Sequence, residues 1–126
     1  MNRNEQLFSV WLLPGIGFYT AQDLARRNAR VILACRSQEK GEAAVRAIIE
    51  ETGNTAVMYR HLDVSLLASV RGFVADFLSN ETRLDILVNN AGVAGHFNFV
   101  SIIHIALSRD YKYKSYDSYC LMPRVA

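Results

Sequence analysis

Four short apolar runs alternate along this chain with three segments of helical spacing. The runs are LFSVWLL at 7–13, RVILAC at 30–35, TAVMYRHLDV at 55–64 and LDILVNNAG at 84–92. RVILAC is almost wholly apolar, which is typical of a parallel strand that is covered on both faces. Strands joined by crossover helices pair in parallel, with right-handed connections. The alternation therefore predicts an α/β fold, with a parallel sheet of about four strands and flanking helices.

The three segments between these runs carry the boundary signals of helices. Asn28 stands where the left-handed residue that ends a helix is expected. Ser37 is predicted to cap the second helix, which ends at Gly53. Ser65 is predicted to cap the third helix, whose apolar residues recur at spacings of three and four.

Composition limits the classes of protein to which the chain can belong. A net charge of +2, with Lys and Arg scattered, predicts neither a nucleic-acid partner nor binding to a membrane surface. The longest mostly apolar stretch, residues 7–18, is shorter than the roughly 20 residues of a membrane span. It loosely resembles a signal peptide, but a buried first strand explains it better because a helix and a second strand follow. Cys35 and Cys120 make no disulfide framework, so a reducing, cytoplasmic location is expected.

Two minor patterns in the sequence do not predict binding sites. The three histidines, at positions 61, 96 and 104, lack the spacing of metal ligands, so no metal site is predicted. The run YKYKSY at 111–116 interleaves aromatic and basic residues, as proteins that bind single-stranded nucleic acid do. No supporting fold accompanies this run, and nucleic-acid binding is not predicted.

A Gly-Ile-Gly triplet at residues 15–17 falls between the first strand and the first helix. In such a turn, the N–H groups at the start of the helix bind a pyrophosphate. About 20 residues further on, NAD-binding proteins carry an acid that binds the ribose 2′-hydroxyl. This chain has Arg36 there and no carboxylate, which favours NADP over NAD. The alternative is that Arg36 is a solvated surface residue.

Together these segments resemble the short-chain dehydrogenase/reductase family, and within it the retinol-dehydrogenase-like branch. The likeness rests on GIG, LARRNARVILACR, LDV and LDILVNNAG at their observed spacings, and it covers about residues 10–94. It implies that residues 1–95 form a partial Rossmann fold that binds NADP, and that residues 96–126 are a divergent, poorly ordered tail. It also implies NADP(H)-dependent oxidation or reduction of retinoids or other hydrophobic alcohols and carbonyls.

The resemblance also implies a role in cofactor binding for particular residues. The pyrophosphate would lie along Gly15, Ile16 and Gly17, and the 2′-phosphate would bind Arg36. The adenine would lie between Asp63 and Val64. The ribose would lie beside Asn90, Ala91 and Gly92, and Asn89 would help to tie the sheet together. Asp63 has an alternative role as a carboxylate that stabilises the start of the following helix. The asparagines have an alternative role in a turn at the end of a strand.

The chain departs from the family pattern in its glycine-rich loop and in its catalytic residues. Val10 and Trp11 replace the Thr and first Gly of Thr-Gly-x-x-x-Gly-x-Gly, and Pro14 stiffens the loop. Family members use a Ser, a Tyr that acts as general acid and base, and a Lys four residues after that Tyr. No Tyr of this chain has a Lys at that spacing, so no catalytic residue is predicted. We expect a chain that retains the cofactor-binding half, binds NADPH weakly or not at all because of Trp11 and Pro14, and is inactive by itself.

Two other interpretations of these departures stay open. One is a truncated, non-catalytic isoform or interaction module, because a sheet that stops at its fourth strand leaves an exposed edge through which chains associate. The other is an incomplete gene model, since the family pattern is lost sharply at both ends of the sequence.

Overall fold

A computed structural model of the chain describes residues 6–10, 16–89 and 114–117. Its strands and helices are, in chain order, β1 (Gln6–Val10), α1 (Ile16–Arg26), β2 (Arg30–Cys35), α2 (Gln38–Thr52), β3 (Val57–His61), α3 (Leu67–Asn80), β4 (Ile86–Asn89) and β5 (Lys114–Asp117). The strands pair in parallel in the order β3-β2-β1-β4-β5. The predicted α/β fold with a parallel sheet and flanking helices is confirmed.

The order of the strands is that of the doubly wound Rossmann fold. From β1 the chain moves outward through β2 to β3 and then returns to β4, on the other side of β1. Ligands of such sheets bind outside the carboxyl ends of the strands, where this reversal occurs. The carboxyl ends of β1 and β4, which pair with each other, therefore mark the place where a cofactor is expected.

The sheet is covered on both faces, which explains the nearly continuous apolar sequence of β2. Alternate residues of a strand point to opposite faces. Val31 and Leu33 pack with α1 and α2, while Ile32 and Ala34 pack with α3. The side chains of the first layer come from Ala21, Ala25, Ala44, Ile48 and Val57, and those of the second from Leu62, Val70, Phe73, Phe77 and Leu87. No helix in the described ranges is long and apolar enough to cross a membrane.

The predicted ends of the first two helices are confirmed. Asn28 has a φ of 65°, and Gly53 has a φ of 72°, so both adopt the left-handed conformation that ends a helix. The side chain of Ser37 caps α2, because its hydroxyl oxygen accepts a hydrogen bond from the Lys40 amide at 3.3 Å. Ser37 and Gly53, which the sequence identifies directly, therefore mark the two ends of α2.

The prediction that Ser65 caps the third helix is wrong. The helix begins at Leu67, and the capping position is held by Leu66, whose side chain makes no capping hydrogen bond. The Ser65 hydroxyl instead donates to Asp63 Oδ1 at 2.6 Å. The Ser65 side chain therefore bonds within the turn that precedes the helix, and not to an amide of its first turn.

The tail supplies a strand where little order was expected. Residues 114–117 form β5, which pairs with β4 so that Ile86 lies opposite Lys114. The sheet thus has five strands rather than about four, and the edge of β4, which was expected to be exposed, is paired. Pairing satisfies backbone groups that an open edge would leave to solvent. The remainder of residues 96–126 lies outside the described residues, and the division at residue 95 stays a prediction.

Candidate functional site

The carboxyl ends of β2 and β3 bring Arg36 and Asp63 to the same edge of the sheet. The two strands are neighbours, and their last residues, Cys35 and His61, are paired. Arg36 follows directly and is exposed, while Asp63 is partly exposed two residues after β3 ends. The charge of Arg36 contributes to the lowered pKa of Asp63, so the two groups share one electrostatic environment. Residues that the sequence separates by almost thirty positions are thus neighbours in the fold.

Asp63 is held in the turn that leads into α3. Its Oδ1 accepts hydrogen bonds from the Ser65 hydroxyl at 2.6 Å and from the Ser65 amide at 3.0 Å. Its own amide donates to the Ser69 hydroxyl at 2.9 Å, and its carbonyl accepts from the Leu66 amide at 3.1 Å. These bonds fit the alternative role of Asp63 at the helix start. A contact with adenine is compatible with them and stays a prediction.

The carboxylate of Asp63 has a pKa below its ordinary value. The hydrogen bond from the Ser65 hydroxyl contributes most, partial burial opposes it, and the charges of Arg36 and His61 lower the pKa further. Asp63 is therefore ionised at neutral pH and can only accept hydrogen bonds. An exocyclic amino group, such as that of adenine, is a donor of the matching kind.

Val64, the other residue predicted beside adenine, packs partly against the core. It is of intermediate exposure and contacts the layer between the sheet and α3. Its apolar side chain thus lies at the boundary between that core and the carboxyl edge of the sheet. The position suits a residue that offers an apolar surface to a flat ring.

The glycine-rich turn is described only in its second half. Ile16 is the first residue of α1, and Gly17 is buried in the first turn of that helix. Burial of Gly17 fits its predicted part in close packing of helix against strand. Gly15, with Trp11 and Pro14, lies outside the described residues.

The segment predicted to pass the ribose follows β4. Asn89 is the last residue of β4 and is paired with Val10, the last residue of β1. The loop that starts after Val10 and the segment that starts after Asn89 therefore leave the sheet at the same end of adjacent strands. Asn90, Ala91 and Gly92 lie outside the described residues, and their contacts with a cofactor stay a prediction.

The sequence did not reveal a cluster of charges formed by Arg30, Arg60 and Glu81, named here the Glu81 cluster. Arg30 binds Glu81 with Nη2 at 2.8 Å from Oε1 and Nε at 3.2 Å from Oε2, and Arg60 Nη2 lies 2.7 Å from Oε1. The Glu81 side chain is only 3% exposed. No local spacing marks the cluster, because its members come from β2, β3 and the residue after α3. Because the three charged groups pair with one another, we interpret the cluster as a structural part of the fold and not as a ligand site.

Other candidate chemistry is limited in the ranges that the structure describes. Cys35 is buried as a free thiol, and burial raises its pKa. Its Sγ donates a hydrogen bond to the Ser37 carbonyl at 3.3 Å. Within those same ranges, no group of three or more His, Cys, Asp and Glu side chains could hold a metal ion.

Comparison with protein families gives a direct answer about descent. The family described as short chain dehydrogenase matches residues 13–108. This chain belongs to that family. The matched range includes the glycine turn, Arg36, Asp63 and the segment after β4.

Curated relatives place the chain beside the retinol dehydrogenases. It is 59% identical over 80 residues to human dehydrogenase/reductase SDR family member 13, covering 64% of this chain and 21% of the relative. It is 54% identical over 79 residues to mouse retinol dehydrogenase 11, covering 63% of this chain and 25% of the relative. The chain thus spans about a quarter or less of the length of these relatives.

Solved structures confirm the Rossmann fold. A short chain dehydrogenase from Shigella flexneri in complex with NADP has a TM-score of 0.72 and 25% identity, covering 85% of this chain and 54% of that one. NAD⁺-bound xylitol dehydrogenase has a TM-score of 0.70 and 22% identity, covering 84% and 47%. The second likeness shows the fold alone. Structures with either dinucleotide therefore share this architecture.

Proposed function

We propose that this chain binds NADP(H) as the adenosine-binding part of a short-chain oxidoreductase. The observation that carries the proposal is Arg36, an exposed guanidinium directly after β2, where a carboxylate would favour NAD. Cys35, Arg36 and Ser37, which follow one another at the end of this strand, include no acid. A planar guanidinium can bind a phosphate through two hydrogen bonds. Because the Arg36 side chain is exposed, a ligand can reach it.

The residues of this chain would bind and orient the cofactor. The start of α1, where Gly17 is buried, would present backbone N–H groups to the pyrophosphate. Arg36 would bind the 2′-phosphate, and ionised Asp63 would accept from the adenine amino group. When bound, the cofactor supplies or accepts the hydride.

The substrate class that we propose follows from the relatives. Retinol dehydrogenases and the member-13 dehydrogenase/reductase are among the curated proteins that this chain resembles. We propose retinol and retinal, or another hydrophobic alcohol and carbonyl pair, as the substrates of the whole oxidoreductase. The described residues belong to the cofactor half, so the substrate rests on this likeness alone.

We propose that the chain by itself binds cofactor without turnover. Proton transfer at neutral pH in this family needs a Tyr whose pKa is lowered by a Lys four positions later. None of the six tyrosines of this sequence has such a Lys. A chain of this sequence is therefore expected to show no consumption of NADPH in the presence of all-trans-retinal. Consumption that depends on this chain would contradict that part of the proposal.

The test of cofactor binding compares NADPH with NADH on the full chain by titration calorimetry. We expect tighter binding of NADPH, and Arg36→Ala should reduce it by roughly 10- to 100-fold, as expected for a charge-assisted hydrogen bond. NADH binding should change little. Arg46→Ala removes an exposed arginine from the middle of α2 and serves as the matched control. Equal binding of both dinucleotides, or an equal effect of the two substitutions, would contradict the proposal.

A further inference from the structure

The carbonyl of Cys35 is held by two hydrogen bonds at the point where β2 ends. The Leu62 amide donates to it at 3.0 Å, and the Tyr59 hydroxyl donates to it at 3.2 Å. Cys35 directly precedes Arg36, so these bonds fix the peptide from which Arg36 extends. Tyr59 comes from β3, and its hydroxyl also lies 3.4 Å from His61 Nδ1.

The residue after Arg36 is fixed as well. The Ser37 carbonyl accepts from the Gly41 amide at 2.9 Å and from Cys35 Sγ at 3.3 Å. The Ser37 hydroxyl caps α2. Arg36 is therefore an exposed side chain on a backbone that is restrained on both sides. Because a ligand has less conformational entropy to remove from such a backbone, this arrangement favours binding.

The ring of Tyr59 reaches this place only because α2 has a glycine there. A Cβ atom at Gly41 would lie 2.3 Å from Tyr59 Cδ2 and 3.0 Å from Cys35 Sγ. Any side chain at position 41 would push the ring away from the end of β2. Gly41 and Tyr59 thus act together, one providing the space and the other the hydroxyl.

We propose that Tyr59 is a positioning residue for recognition of the 2′-phosphate. Its hydroxyl, seated in the space over Gly41, holds the Cys35 carbonyl and so presents Arg36 at the carboxyl edge of the sheet. The inference rests on the proposed function, in which Arg36 binds that phosphate. It adds a residue that acts through the backbone, without touching the ligand.

The test uses the full chain and two probes that differ only by the phosphate in question, adenosine 2′,5′-bisphosphate and AMP. Tyr59→Phe removes the hydroxyl and keeps the ring. We expect it to lower the preference for the bisphosphate by about twofold to tenfold, the effect of one lost hydrogen bond, with AMP binding unchanged. Tyr19→Phe makes the same chemical change on the exposed surface of α1 and should leave the preference as it is.

A double-substitution cycle separates positioning from a general effect on the fold. In the Arg36→Ala background, Tyr59→Phe should cause no further loss of preference, because the group that it positions is gone. Thermal unfolding without ligand is measured for each variant. A Tyr59→Phe chain that is unfolded, or that loses both probes equally, would show a structural role and overturn the inference.

The outcomes also distinguish this inference from the proposed function. If the unsubstituted chain binds neither probe, or shows no preference for the bisphosphate, the proposed function fails and the inference fails with it. If the preference exists and is lost in Arg36→Ala but persists in Tyr59→Phe, the proposed function stands and only the inference is overturned.

Discussion

The Glu81 cluster and the carboxyl edge of the sheet both set arginine near a carboxylate, and they differ in what the charges contact. In the Glu81 cluster, both arginines bind a carboxylate that is almost completely buried. At the carboxyl edge of the sheet, Arg36 is exposed, and Asp63 takes its hydrogen bonds from Ser65. The first arrangement satisfies its charges within the fold, and the second leaves an arginine accessible to a ligand. Burial and pairing, rather than the residue types, distinguish the structural arginines from the proposed binding residue.

The Glu81 cluster joins α3 to the two strands beneath it. Arg60 lies with its guanidinium carbon 5.7 Å from the centre of the Phe77 ring, and its Nε is 3.7 Å from Asp76 Oδ2. Its Nη1 is buried and, within the described residues, has no hydrogen-bond partner. The cation–π contact with Phe77 offsets part of that deficit. The cluster therefore depends strongly on Glu81, which pairs with both arginines.

The largest effect is expected from Glu81→Gln, which removes the negative charge of the buried Glu81 cluster. It leaves two arginines facing an uncharged amide and should lower the free energy of unfolding by about 3 kcal/mol, as is typical when one partner of a buried ion pair is removed. Asp76→Asn is the control, because Asp76 is exposed and should contribute less than about 0.5 kcal/mol. Urea unfolding measures both. Similar small losses would mean that the cluster is no stronger than a surface pair.

Lowering the pH should remove the same stabilisation as Glu81→Gln, because acid protonates the Glu81 carboxylate. Burial would raise the pKa of this carboxyl, but hydrogen bonds and charge from Arg30, and then Arg60, bring it below the ordinary 4.5. Because the folded state has the lower pKa, the stabilisation is complete above about pH 5 and is lost as the pH falls through the folded value. Unfolding curves across this range should show a loss that is smaller in Glu81→Gln. An identical pH dependence in both chains would contradict the assignment to Glu81.

The smallest effects concern two glycines that lie within helices. Gly41→Ala places a Cβ against Tyr59 and should destabilise the chain by about 1–2 kcal/mol through overpacking, despite the better helix propensity of Ala. Gly72→Ala on α3 meets nothing within 4 Å and should stabilise the chain by about 0.5–1 kcal/mol. Thermal unfolding compares them. The same sign for both would show that the space at Gly41 is not needed by the Tyr59 ring.

The features that were predicted correctly are those encoded within a few residues. Apolar runs of strand length, the left-handed Asn28 and Gly53, and the Ser37 cap all depend on neighbours within about one helical turn. The parallel pairing followed from the alternation of strands and helices. This pairing also explains why Arg36 and Asp63 lie at one edge, because parallel strands share their carboxyl ends.

The features that were missed depend on contacts between distant parts of the chain or on local competition. Glu81 pairs with Arg30 across 51 positions, and Tyr59 reaches Cys35 across 24. Ser65 was predicted at the helix start because such residues often cap helices, but the helix begins one residue later than that cap requires, and the Ser65 hydroxyl bonds to Asp63. The pairing of β5 with β4 was missed because the Tyr- and Lys-rich tail has no pattern typical of a buried strand.

The central position of β1 has a consequence for how the sheet assembles. Leu7 pairs with Val31 on one side and with Ile86 on the other, so β1 is the link between the pair β2–β3 and the pair β4–β5. Because β1 precedes β4 in the chain, it is fully paired only after β4 has formed. Closing so long a stretch of chain slows folding, because the entropy of loop closure is lost before the contacts form. Until β4 pairs with it, one edge of β1 remains open to other molecules.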